Sequence, residues 1–469
     1  MPIESTACDV LVVGGGPAAA TAARLLSLWG RDVVVVAKPD GNDPELPESL
    51  TPSCQKFFDL MGISAEVNGA GFVRSSGHTV WWGGQFRCEP FSDGAKGWQA
   101  TTGRLSRVML EAAAAAGARL HRGVLTADEV LAWPAAYRLD CTGRSGVLAR
   151  PLGTRRYDPG HRTVALVGTW RKADEWALDN PTHTLLESYQ DGWAWSVPID
   201  HRDRALAVMV DPKTTVLTRG DGALAVYLGE IAKTEHLAGL FRGADLQHGP
   251  HGWDASMYTA ERPAGDSWLL VGDAASFVDP LSSAGVKKAM ASGWLAAVTV
   301  NTALGSPALK DTAFTFFTTR EHETYAQFLA LTERYLLDGA PDASNPFWDG
   351  RGAPAAGDAD RDAVIEAYAR LRQASSVTFS AGPEAHLGDR PALRERELVL
   401  EQRLVDGATP EGVRFVDGVD VVVLTRLAPG YQQVPDLFDA YVQHAGVVAL
   451  PAFLKALSTA VARGWLLGA

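Results

Sequence analysis

Asp9-Val10-Leu11-Val12-Val13-Gly14-Gly15-Gly16-Pro17-Ala18-Ala19 is the stretch on which the fold turns. Residues 9–13 are a short apolar run of the kind that buried parallel strands use. Gly14 to Pro17 reads as a turn, and an Ala/Leu-rich helix follows from about Ala18 to Trp29, where Gly30 stops it. Val33 to Val36 is a second buried strand. Strand, helix and strand make one βαβ unit of a doubly wound sheet. Within it, Gly14-x-Gly16-x-x-Ala19 has a physical reading. The first glycine permits the tight turn, the second lets backbone approach a diphosphate, and Ala19 lets helix and strand pack closely. Pro17 and Ala18 then open a helix whose N–H groups and positive dipole end face the phosphates. A lone pattern of this type is weak, but the strand before it and the helix after it point to a dinucleotide. One feature departs from the pattern. The second strand ends Val36-Ala37-Lys38, so Ala37 stands where a carboxylate usually holds the ribose hydroxyls, and Lys38 or Asp40 is left to substitute.

Working outward, Leu270-Val271-Gly272-Asp273 reads as a buried strand running into a turn, with Asp279-Pro280-Leu281-Ser282-Ser283-Ala284-Gly285-Val286 after it. An aspartate after a strand and facing a dinucleotide binds a sugar-chain hydroxyl. The Pro280 to Val286 segment opens a helix whose N-terminus favours negative charge. Between the two turns lie Asp140-Cys141-Thr142-Gly143-Arg144-Ser145, Gly97-Trp98-Gln99, Glu48-Ser49-Leu50-Thr51-Pro52 and Gly192-Trp193-Ala194-Trp195-Ser196-Val197-Pro198.

Together these motifs resemble the superfamily of group A flavin monooxygenases and flavin-dependent halogenases over roughly residues 9–335. The resemblance implies FAD as cofactor. It implies an α/β fold: a Rossmann-like FAD-binding domain with an interleaved antiparallel-sheet substrate domain. It assigns cofactor contacts to Gly14, Gly16, Pro17, Ala18, Ala19, Lys38, Glu48, Ser49, Gln99, Gly272, Asp273, Pro280, Ser283, Ala284, Gly285 and Val286. Thr102 sits where an arginine often contacts FAD, which leaves that role to Gln99 or Arg104. The 192–198 segment is similar to the Trp-x-Trp-x-Ile-Pro signature of the halogenase branch. Alternating tryptophans on a strand also face one side for plain packing reasons.

The halogenase lysine is missing. In the phenol- and pyrrole-acting group it sits in a Phe-x-x-Lys-x-Gly context. The matching stretch here is Phe72-Val73-Arg74-Ser75-Ser76-Gly77, with Ser75 at the lysine position. A serine neither forms a chloramine nor presents a positive, transferable proton. Oxygenation of an electron-rich aromatic, an indole or a phenol, is therefore the first reading. A halogenase with another relay is the second, and a flavin-bound maturation scaffold with little turnover is the third. The candidate catalytic set is His78, Arg74, Ser75, Trp193 and Trp195. His78 suits a base because its ordinary pKa lies near neutrality, although a solvated or core histidine is the commoner case.

The 469 residues exceed what one compact core usually needs. The expected domains are 1–337, with a substrate sheet over roughly 65–97 and 160–258, a linker at 338–361 rich in Gly, Ala, Pro and Asp, and a small, mainly helical C-terminal domain at 362–469. Helices over 419–427, 434–444 and 450–464 form a pattern similar to winged-helix precursor-peptide recognition domains, or an ordinary helical appendage. The first alternative makes the aromatic substrate a residue in a peptide or protein. No second dinucleotide turn is present, so electrons come from transient NAD(P)H, a separate flavin reductase or the substrate itself. A net charge of -12 argues against a nucleic-acid partner. Cys8, Cys54, Cys88 and Cys141 have neither metal nor disulfide spacing, so no metal is expected and the thiols suit the cytoplasm. No apolar run reaches the roughly 18 residues of a membrane span.

Overall fold

The computed structural model describes residues 5–39, 47–217, 221–342, 344–354, 359–374, 376–383 and 385–468; Asp40 lies outside them. The chain divides into two compact units, residues 1–355 and 356–469.

The first unit carries the βαβ element. Cys8–Val13 pairs in parallel with Val33–Ala37 on one side and with Ala135–Asp140 on the other. Trp268–Leu270 and Arg119–Arg122 complete a five-stranded parallel sheet as its two edges. Val33 to Val36 are at most 1% exposed, and each such valine contributes about 1.5–3 kcal/mol of burial. That explains why these strands are unbroken apolar runs: both faces are covered. The helix Pro17–Leu28 packs against the helix Gly285–Gly305, and Gly293 lets the second backbone close on the carbonyl of Ala18.

A seven-stranded sheet stands beside it. Its order is Asp245–Asp254, Val164–Arg171, Asp203–Val210, Gly192–Pro198, Thr184–Tyr189, Gly77–Trp82 and Gln85–Pro90. All neighbours are antiparallel except Thr184–Tyr189 and Gly77–Trp82, which run parallel. The sheet thus draws its strands from residues 77–90 and 164–254, on both sides of the 98–140 segment that returns to the parallel sheet.

One expectation needs correction, and one element of the second unit was not anticipated. The stretch 338–361 is not simply a linker. Phe347 and Trp348 are 1% and 4% exposed in the core on the seven-stranded sheet. Arg351 makes a buried ion pair with Asp211 at 2.6 Å. Glycine and proline content hid two aromatic anchors and a paired charge. The second unit is helical, with Ala359–Gln373, Val421–Leu427, Val434–Ala445 and Leu450–Ala462. It also holds a hairpin, His386–Arg394 with Glu397–Val405. Its strands are only partly buried and rich in charge, so they lack the apolar signal of a buried strand. Phe453, Leu457, Tyr441 and Trp465 centre that unit's core. Among the described residues no single helix is long and apolar enough to cross a membrane.

Candidate functional site

Three backbone turns meet at the carboxyl ends of the parallel strands, where open α/β sheets bind their ligands. Gly14 has φ +130°, and a Cβ there would run into the carbonyl oxygen of Cys141. The glycine is demanded by the neighbouring turn as much as by a ligand. Cys141 N–H donates to Val13 O and Val271 N–H donates to Asp140 O, so the three strand ends are tied edge to edge. Asp140 is fully buried. Its Oδ1 accepts from Thr142 N at 3.1 Å and Thr142 Oγ1 at 2.6 Å, and its Oδ2 accepts from Leu148 N at 2.8 Å. This aspartate shapes the 140–148 loop and leaves no oxygen for a ligand. Gly272, at φ +65°, lies against the methyl of Ala18 and donates its N–H to Ser292 Oγ at 2.7 Å.

The glycine turn fits a dinucleotide diphosphate. Gly16 caps the helix Pro17–Leu28 with no side chain on the first N–H groups, and no heavy atom lies within 4 Å of the position its Cβ would take. Open space over free helix N–H donors is what an anion needs.

From this turn a cavity of about 280 Å³ runs to the seven-stranded sheet. Pro17, Thr102 and Leu105 line its nucleotide end. The far end is floored by one face of the sheet: Ala165, Val167, Trp195, Met209 and Trp253. Pro280, Ser283, Gly285 and Val286 form the opposite wall, with Phe277 beside them. Ser283 holds φ +49°, an uncommon conformation for a residue with a side chain, on the turn that opens the helix Gly285–Gly305. Asp279 is buried and accepts Leu281 N–H at 2.9 Å, which fixes the start of that turn. Its carboxyl is pushed up to about 6, chiefly by burial.

Glu48 and Asp273 face this cavity together with Arg144. Burial first, and the neighbouring Asp273 second, push the Glu48 carboxyl up to about 7, against the opposing charge of Arg144. Asp273 is held from behind. Lys288, 3% exposed, donates to Gly272 O at 3.3 Å, to Asp273 Oδ1 at 3.4 Å and to Ser276 O. Tyr258 Oη donates to Asp273 O at 2.6 Å.

The structure does not bring the five catalytic candidates together. Trp195 lines the cavity, and its indole N–H is buried without an acceptor among the described residues. Trp193 lies on the same sheet face but in the core, 1% exposed and 6.2 Å from the ring of Trp82. Ser75 is fully buried and Arg74 is turned elsewhere: its guanidinium sits 4.5 Å from the ring of Trp98 and donates to Gly97 O at 3.1 Å and Asn68 Oδ1 at 2.6 Å. His78 packs edge-on to Phe91, and burial holds its pKa below the usual histidine value. None of these four lines the cavity. Gln99 and Ser49, both expected at the cofactor, bond to the large sheet through Thr184. Gln99 Nε2 donates to Thr184 Oγ1 at 2.9 Å, and Thr184 Oγ1 donates to Ser49 Oγ at 2.8 Å, a chain that ties the 47–50 and 98–101 strands to the large sheet. Lys38 lies just past the strand Val33–Ala37, and its carbonyl accepts from Arg122 Nη1 at 3.4 Å. Sequence reasoning gave no catalytic place to Trp253, Met209 and Phe277. Their signal was alternation on strands whose inward face only the fold identifies.

Comparison with known proteins agrees with this geometry. The FAD binding domain family matches residues 7–130. A flavin-dependent halogenase of Armillaria mellea, armH3, is 25% identical over 371 residues, covering 68% of this chain and 72% of that protein. The tryptophan 2-halogenase of Chondromyces crocatus is 27% identical over 319 residues, 62% of this chain and 60% of that one. Among solved structures, the flavin-dependent halogenase CmlS superposes with a TM-score of 0.78 at 20% identity, over 99% of this chain and 96% of its own. QhpG, a peptidyl tryptophan dihydroxylase essential for tryptophylquinone cofactor biogenesis, gives 0.68 at 21% identity over 98% and 99%. At these identities the structural likenesses speak for the fold.

Proposed function

We propose that this chain, an FAD-dependent oxidoreductase of the halogenase-like flavin monooxygenase superfamily, hydroxylates an electron-rich aromatic ring, an indole or a phenol, presented by a peptide or protein. The observation that carries the reading is the sheet side of the cavity, Ala165, Val167, Trp195, Met209 and Trp253, which is aromatic and apolar, with no lysine among the described residues that line the cavity. Ser75 fills the halogenase lysine position, and the buried Lys288 is committed to backbone carbonyls and Asp273. Bound FAD supplies the activation of oxygen. The chain's own residues do the rest. Trp195 and Trp253 present ring faces and edges to an aromatic substrate, and Ala165, Val167 and Met209 keep water from the floor. Glu48, with its carboxyl near neutrality beside Asp273 and Arg144, is the group in the cavity suited to exchange a proton with the ring.

Presentation on a peptide draws support from the name of the QhpG neighbour. The hairpin and three of the four helices of the second unit are also the elements that a winged-helix peptide-recognition domain needs. Halogenation is the second reading, favoured by the names of the curated relatives. The deciding experiment supplies the FAD-loaded chain with a reductant, oxygen and free or peptide-borne indoles and phenols, with and without halide. Mass spectrometry is expected to show a gain of one or more oxygen atoms that does not depend on halide. Chlorine or bromine in the product overturns the proposal.

A further inference from the structure

Behind the Gly272-Asp273 turn sits a charge that the turn itself does not need. Lys288 is 3% exposed and is the one buried lysine among the described residues. Lysine is seldom this deep unless paired, and a buried ammonium carries a desolvation cost even when it is. We infer that Lys288 is a positioning residue that sets the reduction potential of bound FAD, favouring the reduced and more negatively charged form. Only bound FAD is required for this, not the aromatic substrate proposed above, so the two readings fail separately.

The way the turn is held comes first. Lys288 and Ser292 stand four residues apart on the helix Gly285–Gly305 and so share a face. Lys288 Nζ donates to Gly272 O at 3.3 Å, and Ser292 Oγ accepts Gly272 N–H at 2.7 Å. This one pair meets both backbone polar groups of Gly272. Lys288 Nζ also donates to Ser276 O. A neutral amide has a donor for such carbonyls without burying a charge. Hydrogen bonding therefore explains a donor at position 288 and leaves the cation unexplained.

The second observation is the company the cation keeps. Asp273 Oδ1 lies 3.4 Å from Nζ, and the Asp273 side chain faces the flavin cavity. Glu321, on the helix Lys310–Gly339, is 4% exposed, and its Oε2 is buried with no hydrogen-bond partner among the described residues. Burial pushes the Glu321 carboxyl above its ordinary value, against Lys288 and the Ser292 hydroxyl, which pull it down. Without the ammonium, Asp273 at the cavity has no buried cation to offset it, and negative charge there opposes reduction of a flavin.

The third observation is position. Gly285, Val286 and Ala289, on the first turns of the same helix, line the cavity with Asp273. Lys288 thus lies one layer behind the wall, in buried surroundings where a unit charge acts more strongly than in water. The positive end of the helix at Gly285 acts with the same sign.

The test uses the FAD-loaded full chain. Dye equilibration gives its reduction potential, and flavin fluorescence gives its affinity for oxidised FAD. Lys288→Gln keeps a donor and removes the charge. It is expected to weaken reduced FAD about tenfold more than oxidised FAD, which makes the two-electron potential about 30 mV more negative. Lys288→Met, of similar length, is the second neutral variant and is expected to shift it the same way. Lys288→Arg keeps the charge and should restore the parent's potential. Ser292→Ala removes the acceptor of Gly272 N–H but no charge, so it should loosen both forms of FAD alike and leave the potential where it was. A potential unmoved in both neutral variants, one moved as far in Ser292→Ala, or equal loss of oxidised and reduced FAD from both neutral variants overturns the inference.

Discussion

The two ends of the flavin cavity are built by different means. At the nucleotide end the work is done by backbone: Gly14 against the Cys141 carbonyl, Gly272 against Ala18, and helix N–H groups over the open space at Gly16. At the aromatic end it is done by side chains from four strands of one sheet: Ala165 and Val167, Trp195, Met209, and Trp253. Backbone geometry admits few residue types, whereas a packed aromatic wall admits many. The contrast predicts that substitutions at the first end cost structure and cofactor, and that those at the second cost chemistry.

The sharpest way to break that contrast is Gly14→Ala. A Cβ at φ +130° against a carbonyl has nowhere to go, so the variant is expected to accumulate poorly and to purify without flavin absorbance. Gly16→Ala, with open space around its Cβ, is expected to melt like the parent but bind FAD about tenfold more weakly. If the two variants behave alike, the backbone argument fails.

Next comes Lys288→Met. It leaves the carboxylates of Asp273 and Glu321 without their buried cation, and should cost about 3 kcal/mol in urea unfolding. Stability equal to the parent would mark the lysine as a spectator.

Glu48→Gln tests the electrostatics. The folded pKa of Glu48 is raised, from 4.5 to about 7, so its favourable contribution is complete below about pH 4.5 and is lost as pH rises through 7. In the FAD-free chain this loss is worth about 3 kcal/mol. The glutamine variant should flatten the stability profile between those pH values. A profile unchanged by the substitution contradicts the buried placement of the carboxyl.

At the other end, Trp195→Leu should keep its FAD and lower turnover about tenfold. The smallest effect is expected from Arg74→Met. Its guanidinium packs on Trp98 and caps loop carbonyls, so about 1 kcal/mol of stability goes and turnover stays. A large loss of turnover there would return Arg74 to the catalytic set.

The same contrast explains what was readable beforehand. The strand–turn–helix at residues 9–28 and the Gly272-Asp273 turn could be read because glycine and unbroken valine runs have few other uses. Asp140 was read as part of a cofactor motif, yet its oxygens are consumed by Thr142 and Leu148; spacing alone does not reveal which way a carboxylate turns. Gln99 and Ser49 were expected at the cofactor, and what the sequence did not show is their link to the large sheet through Thr184. Gln99 Nε2 and Ser49 Oγ both bond to Thr184 Oγ1 on that sheet. Trp193 and Trp195 look equivalent in the sequence. Only the position of each along the sheet separates a core residue from a wall residue. The hairpin 386–405 was missed because a partly buried, charged strand lacks the pattern that marks a fully buried one.

The buried return of residues 347–351 bears on how this protein is cut. Phe347 and Trp348 fill the aromatic core beside Trp82 and Trp193, and Arg351 neutralises the buried Asp211. A protease or a designed truncation that severs the chain just after the helix Lys310–Gly339 would strip out this plug and leave an unpaired carboxylate. The natural seam for separating the catalytic piece lies past residue 354, even though the composition suggests a break some fifteen residues earlier.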